Sequence, residues 1–251
     1  MTYYLRNANT FRVTDENSID ITTELPADNY LVKADQFGNL FLETVDRFEP
    51  LTKYYGDTLR NADRIMRTFN DRSASTGVLL TGEKGSGKTL LAKHLSIMGY
   101  AAGMPTILIN SAWTGDSFNK LIQDIQQPSI VMFDEFEKVY DREGQEKMLT
   151  LLDGVYASKT LFVLTCNDKW RIDSHMRNRP GRIFYSLDFK GLSEEFIRDY
   201  CNDVLHNKTH IDQITKIATL FGEFNFDMLK ALVEDMNRYD ETPQEAMRLL
   251  N

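Results

Sequence analysis

The sequence predicts a doubly wound α/β domain with a helical bundle behind it. Three observations carry this reading. Five short β-prone runs occupy the centre of the chain: GVLL (77–80), TILI (106–109), IVMF (130–133), LFVL (161–164) and IFYSLDF (183–189). The first four are apolar throughout rather than alternating, which marks strands covered on both faces, as in a parallel sheet between helix layers. Helical stretches such as TLLAKHLSIMGYAAG separate them, and strand–helix alternation is the pattern of a parallel α/β sheet. Beyond Leu192 the strand signal stops.

Taken in order, residues 1–50 read as a β-rich, irregular segment. NYLVKADQFGNLFLETV has two strand-like halves around Gln36-Phe37-Gly38-Asn39, the composition of a hairpin turn. Leu59 to Phe69 then reads as a helix with Ile65, Met66 and Phe69 on one face. The tail gives four helical stretches: SEEFIRDYCNDVL, IDQITKIATLFG, FDMLKALVEDMNRY and TPQEAMRLL. Ser193 is placed to cap the first. Thr242-Pro243-Gln244-Glu245 is a capping box with proline at the first helical position. The expected division is residues 1–50, 51–190 and 191–251.

Composition excludes several classes. The chain has 251 residues, 42% hydrophobic and 26% charged, which suits a globular protein of one main core and a smaller second unit. A net charge of −8 gives no global positive field, so a nucleic-acid partner is disfavoured. Cys166 and Cys201 are far apart and in no metal-like spacing, as expected in a reducing compartment. The opening MTYYLRNANTFRV lacks the apolar core of a secretory signal, and no apolar run approaches the ~18 residues of a membrane span. An intracellular protein without membrane insertion is expected.

Three motifs carry chemistry. Gly82-Glu83-Lys84-Gly85-Ser86-Gly87-Lys88-Thr89 fits G-x-x-x-x-G-K-[ST], after an apolar strand and before an amphipathic helix, and with Leu90 these residues form the expected nucleotide-binding stretch. Glycines let consecutive N–H groups curl around phosphate oxygens, and the helix N-terminus faces the same anion. Lys88 is the residue to reach the β- and γ-phosphates, and the Thr89 hydroxyl can ligate Mg²⁺. Asp134-Glu135 follows another apolar strand directly. Asp134 can hold Mg²⁺ through water, and Glu135 can orient and deprotonate an attacking water. Asn167 ends the fourth run. It is either a carboxamide aimed at the lytic water and γ-phosphate or an ordinary strand-end turn residue.

Fifteen residues after Asn167 comes RPGR, ending at Arg182. The order of these motifs resembles the AAA family of ATPases from about Leu59 to Arg238. The flavour is that of the mitochondrial Rieske-assembly AAA chaperones and of AAA proteins carried by bacteriophages, without the membrane anchor of the mitochondrial members. One extra residue lies between Asp173 and Arg179. The resemblance implies an αβα sandwich with a five-stranded parallel sheet and a helical lid. It also implies ATP and Mg²⁺ as cofactors, and a homo-oligomeric ring, most often a hexamer, in the cytoplasm (that of the host, if the source is viral). Asn167 would be the first sensor. Arg179 and Arg182 would reach out of their own subunit to the next subunit's γ-phosphate, while Arg177 falls outside that pattern.

Four further positions stay open. Asn110 matches a polar position that restrains the catalytic glutamate in related ATPases. Trp113 is either the aromatic of a polypeptide-gripping pore loop or a buried tryptophan. Tyr55-Gly56 is either a turn lining the adenine pocket or a helix-capping turn. Lys84 either adds a phosphate or inter-subunit contact or faces solvent. The expected activity is ATP-driven remodelling of a protein of unknown identity, with residues 1–50 as adaptor. The alternatives are a nucleic-acid-associated loader or packaging ATPase and a slow nucleotide-switched assembly scaffold.

Overall fold

The computed structural model describes residues 2–7, 10–15, 21–153, 159–177, 179–220 and 224–249. Residues 154–158, within the helix-to-strand run that leads to Asn167, lie outside these. All five β-prone runs form strands: β5 (Thr76–Gly82), β6 (Thr106–Ile109), β7 (Ser129–Phe133), β8 (Thr160–Cys166) and β9 (Tyr185–Phe189). They pair in parallel in the order β6-β7-β8-β5-β9.

Alternate residues of β5 to β8 feed two cores, which is why those four runs carry no polar face. Leu79, Ile107, Val131, Phe133, Phe162 and Leu164 point to one side. There they meet Phe118 and Ile122 of α3 (Asp116–Gln123), Phe136 of α4 (Phe136–Val139), and Met148 and Leu151 of α5 (Arg142–Leu152). Val78, Leu80, Ile130, Met132, Leu161 and Val163 point to the other. They are covered by Ile65, Met66 and Phe69 of α1 (Thr58–Asp71) and by Leu91 and Leu95 of α2 (Lys88–Ala101).

The sheet is wider than the five strands expected. The predicted hairpin forms as β3 (Asn29–Ala34) and β4 (Leu40–Val45). Its turn is tied by the Asp35 carboxylate, which accepts from the N–H groups of Phe37 and Asn39, and by Gly38 at φ 82°. β3 also pairs in parallel with β6, making a seven-stranded sheet, and Val32 enters the first core. The hairpin thus covers what would be an open edge. β1 (Thr2–Asn7) and β2 (Thr10–Asp15) form a separate antiparallel pair.

A short α6 (Ser174–Arg177) lies between β8 and β9, and past β9 come α7 (Glu194–Val204), α8 (Ile211–Leu220), α9 (Phe226–Tyr239) and α10 (Pro243–Met247). Ser193 caps α7, and Thr242 with Glu245 forms the reciprocal capping box. These helices bury their own apolar cluster, including Ile197, Cys201, Ile214, Leu229, Leu232 and Val233. Tyr55, from the turn before α1, packs against that cluster, and its hydroxyl donates to Asp203 at 2.9 Å. Burial first, and then that carboxylate, push the Tyr55 phenol up to about 12. The turn before the sandwich is therefore fastened to the lid.

Candidate nucleotide site

The site lies at the carboxyl ends of β5, β7 and β8. Gly82, Gly85 and Gly87 take φ of 137°, 75° and 99°, a backbone course that L side chains rarely follow. Gly87 occupies the N-cap of α2, and no side chain caps that end. The first N–H groups of a 14-residue helix therefore face the loop, the arrangement that suits an anion. The Ser86 hydroxyl is buried with no hydrogen-bond partner among the described residues. Lys88 is buried, and its ammonium donates to the carbonyls of Gly82 and Glu83 at 2.6 Å each. Burial lowers its pKa, opposed chiefly by the charge of Glu137.

Asp134 and Glu135 leave the end of β7 and are ordered by a residue of the neighbouring strand. The Thr165 hydroxyl donates to Asp134 Oδ1 at 2.6 Å and accepts from the Glu135 N–H at 2.9 Å. Glu135 sits at φ 49°, ψ 48°, a left-handed conformation that costs a non-glycine residue about 1–3 kcal/mol. The Thr165 hydrogen bond helps to hold it there. Asn167 Nδ2 donates to Glu135 Oε1 at 3.2 Å, and the Asn167 N–H donates to Glu137 Oε1 at 2.9 Å. Lys138, one turn along, donates to the same Glu135 oxygen at 2.5 Å. Lys138 first, and then Asn167, hold the Glu135 carboxyl below the usual range; the more distant charge of Lys84 acts in the same direction.

Thr89 Oγ1 stands 3.4 Å from Asp134 Oδ1. Two hard oxygens at that separation, beside a phosphate cradle, fit Mg²⁺, which takes one or two protein ligands and completes its shell with waters and phosphate. The uncapped helix end, the buried Ser86 hydroxyl and the Lys88 ammonium likewise fit a triphosphate. Next to the loop is a cavity of about 470 Å³, lined by Tyr55, Gly56, Thr58, Leu187, Phe189 and Phe196 among others, and by Glu83 and Ser86 on the phosphate side. Its size and mixed lining suit a nucleobase and ribose. The lid touches the cradle directly, since the Phe226 N–H donates to Gly85 O at 3.2 Å.

The arginine loop is elsewhere. The Arg182 carbonyl lies so close to Gly77 that a Cβ there would approach it to 1.8 Å, and Phe184 N–H donates to Gly77 O at 2.8 Å. This is the amino end of β5. The five residues from Gly77 to Gly82 carry the strand about 17 Å at ~3.3 Å per residue, so the loop is remote from the cradle of its own chain. Both arginines were expected to point out of the subunit, and here they divide. Arg182 is 8% exposed and turned inward. Its Nε and Nη2 donate to the two oxygens of Asp153 at 2.6 and 2.7 Å, and its Nη1 to His175 O at 3.0 Å. A bidentate, charge-assisted pair in partial burial outcompetes a solvated arginine. The Arg179 side chain stays 63% exposed and only approaches Asp153, at 3.5 Å.

The remaining positions divide as well. Asn110 is exposed and its carboxamide oxygen accepts from Ser111; among the described residues Lys138 and Asn167, not Asn110, donate to the Glu135 carboxylate. Trp113 is partly buried against the first core, and its carbonyl accepts from the Tyr140 hydroxyl at 2.9 Å. Lys84 is exposed, and Leu90 continues α2. Sequence reading missed Thr165, Lys138 and Asp153. Thr165 alone left a signal, a hydroxyl two residues before Asn167, directly after the apolar run LFVL.

A parallel α/β sheet with a glycine cradle opening a helix at the end of one strand, and Asp-Glu at the end of a strand two places away in the sheet, defines a phosphate-loop nucleotide-binding domain. The comparisons sharpen the class. The pattern of the "ATPase family associated with various cellular activities (AAA)" matches residues 78–190, so that stretch of the chain is similar to an AAA ATPase domain. It is 32% identical over 180 residues to the peroxisomal ATPase PEX1 of Homo sapiens, covering 63% of this chain and 14% of that protein. It is 28% identical over 171 residues to fidgetin-like protein 1 of Drosophila melanogaster, covering 59% of this chain and 32% of that one. The chain thus spans a third or less of the length of these relatives. The crystal structure of the FIGL-1 AAA domain in complex with ADP superposes with a TM-score of 0.56 at 17% identity. The match covers 83% of this chain and 86% of that one, a likeness of fold. No helix among the described residues is long and apolar enough to cross a membrane.

Proposed function

We propose that the chain hydrolyses Mg²⁺-bound ATP at the interfaces of a homo-oligomeric ring and uses the cycle to remodel a protein. One observation carries the reading. Glu135, Asn167, Asp134 and Thr89 converge beside the phosphate cradle, while the exposed arginine of RPGR lies at the other end of β5. The cradle N–H groups and Lys88 bind the phosphates. Thr89 and Asp134 would hold Mg²⁺, which offsets phosphate charge when bound. Glu135 accepts a proton from the attacking water, and Asn167 fixes the glutamate and, through its carboxamide, the water. Arg179 supplies the positive charge that the transition state lacks in one subunit alone, by reaching a neighbour's γ-phosphate. Arg182 shapes that loop through Asp153. Tyr55 and Gly56 contact the base, and Phe226 passes the state of the cradle to the lid.

The test is Glu135→Gln. Nucleotide affinity is expected to stay near wild type while turnover falls by at least ~10³, and ATP should drive the variant into a stable larger species on gel filtration. Wild-type turnover, or a profile indifferent to ATP, would overturn the reading. A protein cargo is favoured over nucleic acid by the net charge of −8.

A further inference from the structure

Trp170 lies outside every role assigned above, yet it is 74% exposed, a large apolar ring left in water. It is held there by construction. It sits in a tight 3-10 turn, Lys169–Arg171, and its backbone N–H donates to the Asp168 side chain at 2.9 Å. Two cations flank the indole. The Arg177 guanidinium is 4.9 Å from the ring and the Lys169 ammonium 5.6 Å. Arg177 is itself fixed, with Nε donating to Ile172 O at 3.0 Å. A rigid indole pre-stacked on an arginine loses little freedom on binding, and Trp and Arg are the residue types that dominate interface energetics.

We propose that Trp170 with Arg177 is the anchor by which one copy of this chain docks on the next. The inference rests on the ring reading above. Its first support is continuity. Trp170, Arg177 and Arg179 belong to the single connection between β8 and β9, and Arg177, whose guanidinium lies against the indole, stands two positions before the exposed arginine. A loop that delivers Arg179 to a neighbour brings Trp170 to the same neighbour. The second support is charge. Lys169 and Arg171 approach Asp188 and Asp168, whereas Arg177 has no carboxylate partner among the described residues. The rim of the nucleotide cavity is rich in carboxylates, with Asp57, Glu83, Asp188, Glu195 and Asp199 along it. A cationic, aromatic loop on one copy complements an acidic mouth on another.

The chain has two tryptophans, so Trp113→Phe leaves Trp170 as the sole reporter. The experiment titrates Trp113→Phe/Glu135→Gln protein with saturating ATP. It records indole emission and sedimentation together. The expected result is a shift to shorter wavelength with the concentration midpoint of assembly. In a parallel titration, Trp170→Ala raises that midpoint about 30-fold, the size of a single hot spot. ATP binding by the dilute monomer should be unchanged. Assembly with no emission shift, or Trp170→Ala assembling at the parental concentration, overturns the anchor and leaves the ring intact. Absence of ATP-driven assembly in the Glu135→Gln parent overturns both. A salt-sensitive quench by a single-stranded oligonucleotide, with no response to self-assembly, overturns the anchor and assigns the indole to nucleic acid.

Discussion

The phosphate cradle and the RPGR loop are two short motifs of similar sequence clarity, and they end in opposite situations. Around the cradle, the side chains that the motif names meet one another. Lys88, Thr89, Asp134, Glu135 and Asn167 come from the ends of two adjacent strands and the start of one helix, within hydrogen-bonding reach in several cases. At the loop, the two named arginines part company: Arg182 is consumed by Asp153 of its own chain, and Arg179 is left in solvent. The difference teaches that equal clarity of motif is not equal assembly: the fold of one chain brings the side chains of the cradle together and sends the two arginines different ways. What the single chain builds for Arg179 is a scaffold, namely Gly77 under the loop and Arg182–Asp153 beside it.

The largest effect that could break this comparison is kinetic. Arg179→Ala should lower kcat about 10³-fold, within the range of arginines supplied in trans, while nucleotide affinity and melting temperature stay unchanged. A stopped assay with a parallel equilibrium binding measurement checks it. If kcat is untouched, the exposed arginine is a solvated side chain and the contrast collapses.

A second, smaller effect separates the two arginines by kind. Asp153→Asn leaves Arg182 buried without its counter-charge, which should cost about 3 kcal/mol and lower Tm by about 6–12 °C. Arg182→Met should behave likewise, whereas Arg179→Ala should not. The sign of the pH dependence follows from the same pair. The Arg182 guanidinium holds the Asp153 carboxyl below the usual carboxylate range. The extra stability is thus fully present above the unfolded-state value of about 3.9, and is lost as pH falls through the lower folded value. Urea melts of wild type and Asp153→Asn should differ by a constant amount from pH 5 to 8 and converge only below about pH 4. Equal stability of the two proteins at neutral pH would show that Arg182 is not anchored as described.

Legibility in the sequence follows the same division. Four of the five core strands could be read because their uninterrupted apolar runs have a single physical explanation, burial on both faces by α1–α2 and α3–α5. The lid helices could be read from their caps, with Ser193 and the Thr242–Glu245 box forming as written. The hairpin at 29–45 was legible as a hairpin, since its turn chemistry is local. Its addition to the edge of β6 was not, because nothing between Asn29 and Ala34 names a strand 70 residues away as its partner. Thr165 was half visible, a hydroxyl directly after an apolar run, but its bridging of Asp134 and Glu135 depends on the register of β8 beside β7. Arg179 and Arg182 looked equivalent because a sequence shows spacing and not burial. Asp153, the residue that tells them apart, sits at the end of α5 with no mark of its role.

The central claim is that each subunit is an incomplete catalyst, finished by Arg179 of the next. Mixing two inactive variants tests it most directly. Arg179→Ala keeps its own Glu135 site but offers no finger, and Glu135→Gln keeps the finger but has no base. Titrating one into the other at constant total protein should restore hydrolysis, with a maximum at intermediate ratio, because the mixed interface pairs an intact site with an intact finger. If ATP turnover in every mixture equals the sum of the two variants alone, while sedimentation shows that they co-assemble, Arg179 does not act across the interface.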